Sequence, residues 1–102
     1  MRIITRRRLN EYAKLYPNAA VSVSAWYEVA NKSAWKSLHE VRQTFPHADP
    51  AKVASGRTVT IFNIAGNHHR LITAIHYDTG KVFILEILTH AEYSRNHWKK
   101  SL

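Results

Sequence analysis

Three closely spaced runs dominate the second half of this chain: "RTVTIFNI" (57–64), "HHRLITAIHY" (68–77) and "KVFILEILT" (81–89). Each is rich in β-branched and aromatic residues and has the length of a strand. The separators are "AGN", residues 65–67, and "DTG", residues 78–80. Both are short and contain glycine, as hairpin turns require. The three runs therefore predict an antiparallel meander, and a meander needs one apolar face covered.

The first half supplies the cover. "RIIT", residues 2–5, reads as a short strand. Thr5 is placed to cap a helix running to about Tyr16, with Leu9, Tyr12, Ala13 and Tyr16 at i, i+3, i+4 and i+7. Pro17 stops it, because the residue before a proline is pushed out of helical geometry. A second helix is expected over residues 19–31, with Val23, Trp26, Tyr27 and Ala30 on one face. Ser33 is placed to cap a third over residues 34–45, separate from the second or continuous with it, ended by Pro46. "HADPAKVASG", residues 47–56, reads as a loop, and a last helix begins near His90. The expected class is α+β. A short N-terminal strand precedes two or three helices, a three-stranded antiparallel meander completing a small sheet, and a C-terminal helix, all in one domain over residues 1–102.

Composition narrows the function classes. The 102 residues are 45% hydrophobic, ordinary for one globular domain. No apolar stretch approaches membrane-spanning length, and the apolar part of "MRIITRRR" is too short for a signal peptide. A cytoplasmic location is expected. Cysteine is absent, so a disulfide framework or thiolate metal site is excluded. Fifteen Lys and Arg against seven Asp and Glu give a formal charge of +8, with seven His besides. So basic a domain attracts polyanions, nucleic acid being the commonest.

The apolar last strand empties into a polar group, "THAEY", residues 89–93. "THAE" matches the capping box, which accounts for Thr89 and Glu92 structurally. It leaves His90 and Tyr93 unexplained. They fall three apart at a helix start, on a shared face, where free N–H groups favour phosphate. In the middle strand Arg70 sits among apolar neighbours, and an unpaired buried Arg is expensive. It either pairs with Glu86 on the adjacent strand or grips a phosphate through its planar fork. His76 shares Arg70's strand parity and is expected on its face. Arg57, Asn67, His68, His76 and Lys99 are candidate RNA contacts. Trp98 is expected to be a core or partner contact ahead of a base-stacking surface. No His or carboxylate spacing suggests a metal, so neither metal nor cofactor is expected.

These motifs carry a resemblance. "FN" (62–63), "GN" (66–67), the segment around "RLI" (70–72 within the middle strand) and "THAEY" (89–93) resemble the HigB family of bacterial toxins, a branch of the RelE-like ribonucleases. Element order extends the likeness to nearly the whole chain. The resemblance implies a toxin of a two-gene toxin–antitoxin system that cuts messenger RNA during translation in the ribosomal A site. It also implies neutralisation by a HigA-type helix-turn-helix antitoxin. By position, Arg70, His90 and Tyr93 inherit active-site roles, while Asn67 and Glu92 match the motif. Family members often carry an acidic residue after the Tyr, and here Ser94 stands there. The rival from another class is a non-catalytic basic module that binds RNA or DNA. A third reading is a subunit whose charge matches an acidic protein partner.

Overall fold

A computed structural model describes residues 1–102. The strands are β1 (Arg2–Ile4), β2 (Asp49–Lys52), β3 (Thr58–Ile64), β4 (His69–His76) and β5 (Lys81–Thr89). The helices are α1 (Arg6–Leu15), α2 (Pro17–Lys32), α3 (Leu38–Thr44), α4 (His90–Ser94) and α5 (His97–Ser101). One sheet orders the strands β1-β5-β4-β3-β2. The meander β3-β4-β5 is antiparallel, and β1 joins β5 in parallel. This is the α+β arrangement expected.

The helical half differs from expectation in its joints. Thr5 adopts left-handed geometry and makes no side-chain cap. Its carbonyl accepts from Arg8 N instead. Pro17 ends α1 and also opens α2, because proline's fixed φ suits a first helical turn where no N–H is needed. Ser33 closes α2, its hydroxyl donating to the Val29 carbonyl at 2.7 Å. The cap of α3 is Ser37, whose Oγ accepts from Glu40 N. Residues 33–37 are therefore a connection separating α2 from α3. It buries Trp35 against Phe45 and Phe62.

The segment 47–56 is not all loop. Residues 49–52 form β2, the edge partner of β3. Pro50 disguises it, since proline cannot donate to a ladder and is tolerated only on edges. At the C-terminal end, Asn96 takes left-handed geometry and splits the expected single helix into α4 and α5.

Alternation along the strands makes two cores. Phe62, Ile64, Leu71, Val82, Ile84 and Ile87 face the helices, packing with Leu9, Tyr12, Val23, Trp26 and Val41. Val59, Ile61 and Ile72 face the other way, where Trp98 from α5 covers them together with Val53. The second face is thus roofed by the chain's own C-terminal segment. The roof carries Tyr93 over one end of the sheet.

Candidate active site

Arg70 is a buried cation with no carboxylate partner. It is 8% exposed on β4. Its Nη1 donates to the carbonyls of Asn67 and His69, both at 3.1 Å. Its Nη2 donates to the Asn67 side-chain oxygen. The expected alternative partner, Glu86, lies 3.9 Å from Arg8 instead. The register explains this. Arg70 is opposite Leu88, Glu86 is opposite Ile72, and the β4–β5 pairing shifts after Ile72. A guanidinium has five donors, so three hydrogen bonds leave others free. The Trp26 indole N–H is the one buried side-chain polar atom without a partner. The free Nε–H of Arg70 is therefore open to solvent.

Tyr93 stands over this cation. The Arg70 carbon lies 5.4 Å from the Tyr93 ring centre. On its other side Tyr93 stacks on Trp98 at 5.2 Å and 12°, and the Trp98 indole N–H donates to the Tyr93 carbonyl at 3.0 Å. Burial pushes the Tyr93 phenol above its ordinary pKa; Arg70 opposes this and Asp49 adds to it. The hydroxyl stays protonated near neutrality. The capping box sets where α4 begins: Thr89 Oγ1 accepts from Glu92 N at 3.2 Å, and Glu92 Oε1 accepts from Thr89 N at 3.1 Å.

The candidates separate into two ends of the sheet. Asn67, His68, Arg70, His90 and Tyr93 gather at the β3–β4 hairpin. His90 is exposed at the start of α4; its backbone N–H donates to the His68 carbonyl at 2.9 Å, and its ring lies 3.4 Å from the Ser94 hydroxyl. His76 does share Arg70's face, but six residues along a strand is about 20 Å. It sits at the far end with its ring against Phe83. Arg57 and Lys99 are also at that end, where the Lys99 carbonyl accepts from Ala54 N at 2.8 Å. A cleft of about 230 Å³ between β5 and the C-terminal helices is lined by Glu86, Glu92, Arg95 and Trp98 among others, and leaves Arg70 outside.

Sequence reasoning missed two histidines. His69 points to the helical side, directly behind Arg70, and is 3% exposed. Its Nδ1 lies 2.6 Å from the Tyr12 hydroxyl and its Nε2 3.1 Å from Asn18 Oδ1. Burial, then the neighbouring His68, lower its pKa. The neutral ring accepts from Tyr12 and donates to Asn18. His47, in the turn before β2, lies within the field of Arg70. Partial burial and that charge hold it below the usual histidine range. No group of three or more His, Asp or Glu is arranged to hold a metal ion.

Comparison with known proteins places this arrangement. The profile of the HigB toxin family, described as the RelE-like toxic component of a toxin–antitoxin system, matches residues 19–96. The chain belongs to the HigB toxin family. Among HigB relatives, "mRNA interferase HigB" of Escherichia coli O6:H1 is 30% identical over 95 residues, covering 93% of this chain and 90% of that protein. "mRNA interferase toxin HigB" of Escherichia coli K12 is 29% identical over 93 residues, covering 91% and 88%. The Shigella flexneri "mRNA interferase HigB" matches to the same extent. The HigB match runs from residue 19, in the first turn of α2, through α4, and so includes Arg70, His90 and Tyr93. No helix of this HigB chain is long and apolar enough to cross a membrane.

Proposed function

We propose that this chain is an endoribonuclease that cuts messenger RNA as it is translated in the ribosomal A site, without a metal ion or cofactor, in the cytoplasm. A HigA-type helix-turn-helix antitoxin neutralises it. The observation that carries the reading is Arg70: a buried guanidinium with neutral acceptors, no carboxylate, and free donors facing solvent. Such a group lacks only an anion. The relatives' names, which describe messenger RNA interferases, favour a phosphodiester as that anion.

The chemistry follows from the groups present. The RNA 2′-oxygen loses its proton and attacks phosphorus, and the bond to the 5′-oxygen breaks. Arg70 neutralises the charge that builds on the phosphorane, so it favours the transition state over the bound substrate. The Tyr93 hydroxyl, kept protonated by burial, is suited to give its proton to the departing 5′-oxygen. His90 serves the same side from the start of α4 as its acid–base partner. The net positive charge holds the RNA backbone generally, with His68 and Asn67 at the site and Arg57, His76 and Lys99 further along it. The surface is open, so presentation of the message by the ribosome supplies the alignment that a deep pocket would give.

The test is a reconstituted translation mixture with chelator, sub-stoichiometric toxin, and primer extension on translated and untranslated messages. Cleavage of translated message giving 2′,3′-cyclic phosphate and 5′-hydroxyl ends, lost in Arg70→Ala and impaired in His90→Ala, is the expected result. RNA that is bound and protected but not shortened makes the chain a binding module.

A further inference from the structure

Proton transfer in this displacement needs groups on both sides of the phosphate. The 2′-oxygen enters opposite the departing 5′-oxygen, and α4 supplies Tyr93 and His90 from the β5 side. We propose that His47, on the β2 side, is the general base that accepts the 2′-hydroxyl proton.

The register carries this. Asp49 pairs with Ile61 across β2 and β3. His47 stands two residues before Asp49, in the turn ahead of β2, at the strand end nearest Asn63, and Asn63 pairs with Arg70. His47 thus lies beside the cross-sheet row that holds the cation, within the field of Arg70. With strands about 4.8 Å apart, its Cα is about 10 Å from that of Arg70, a gap that side chains flanking a phosphodiester can close.

The turn is held in place. Ala48 N donates to the Phe45 carbonyl at 3.0 Å, and Arg42 Nε donates to the Ala48 carbonyl at 2.8 Å. The His47 ring lies 6.0 Å from Phe45, whose own ring packs at 5.4 Å on buried Phe62. The imidazole is fixed at its root and exposed at its tip. Arg70 from β4 is the charge that acts on the ring, and Arg42 from α3 and Asp49 from β2 flank its turn, where Arg42 binds both the Ala48 carbonyl and the Asp49 carboxylate. Partial burial, then the Arg70 charge, favour the neutral ring, and a neutral ring accepts a proton. In the step, the 2′-hydroxyl proton passes to His47, the 2′-oxygen–phosphorus bond forms, and the 5′-oxygen leaves with a proton from the α4 side.

The inference rests on the ribonuclease reading, and the experiment separates the two. Translated message is cut under single-turnover conditions from pH 5 to pH 9 by the wild type, Arg70→Ala, His47→Ala and His47→Gln. Failure of the wild type to cut overturns the function itself. If the wild type cuts, His47→Ala is expected to lose about 100-fold or more. The rise in rate through the acid range should vanish, and added imidazole should restore part of it. His47→Gln, which keeps the bulk, should behave the same apart from rescue. Wild-type rate and pH profile in either folded variant overturns the assignment. So does recovery of His47→Ala on a message with sulfur in place of the scissile 5′-oxygen, since that leaving group needs no acid and its rescue marks a lost acid.

Discussion

Replacing Arg70 by Met separates the two meanings of a buried cation. If Arg70 were structural, removing it would unfold the protein. The guanidinium makes three hydrogen bonds, each to a neutral oxygen. Hydrogen bonds from a charged donor contribute about 1.5–3 kcal/mol each, but burying an ion opposes this by several kcal/mol, and no carboxylate offsets it. Two of the three acceptors belong to Asn67, on an exposed turn where water can replace the lost donor. Met fills similar volume and brings no charge. Arg70→Met is therefore expected to unfold within about 1 kcal/mol of the wild type, a melting shift of about 4–8 °C at most. Its cleavage of translated message should fall about 100- to 1,000-fold, the usual result of removing one transition-state donor. Urea denaturation followed by circular dichroism gives the first number and single-turnover cleavage the second. A variant destabilised by more than about 3 kcal/mol that still cuts would refute the reasoning, because Arg70 would then hold the hairpin and not the phosphate.

Trp98→Ala should lower stability by about 3–5 kcal/mol, the usual range for emptying a buried Trp site, measured by the same urea titration; Trp98→Phe should keep most of it. Thr89→Ala removes the cap of α4 and should lower stability by about 1 kcal/mol, with cleavage reduced through looser placement of Tyr93. Stability should also fall with acid. His69 and His47 have folded pKa values below the ordinary 6.5, so below that pH the unfolded chain binds more protons than the folded one. Their contribution is complete above pH 6.5 and is lost as pH falls toward the depressed folded values. His69→Gln should flatten that slope in melting experiments between pH 7 and pH 5, and an unchanged slope assigns it to other groups.

The meander and the start of α4 were legible because the signals were local. Two glycine-containing turns set the β3-β4-β5 meander, and a capping box set the start of α4. The parity of β4 correctly put Arg70 and His76 on one face, but parity carries no information about which end of a strand a residue occupies. That is why His76 lies away from the site. β2 was hidden by Pro50 and loop-like composition, and with it went His47, whose closeness to Arg70 exists only through pairing across β3. The register that puts Arg70 opposite Leu88 and Glu86 opposite Ile72 has no signature in composition. At the helix joints the competing caps decided matters: Ser37 and Ser33 are both suitable, and only packing of Trp35 distinguishes them.

His69 and Arg70 are adjacent on one strand and point through opposite faces of the sheet. The first is clasped by Tyr12 and Asn18; the second is the proposed phosphate ligand. A disturbance at Tyr12 of α1 or Asn18 of α2 therefore has a single peptide unit to cross before it reaches the proposed active side. Attenuated forms safe enough to overproduce in living cells can accordingly be sought at Tyr12 and Asn18, far from anything the message touches, and these should be tunable in degree where Arg70 substitutions are all or nothing.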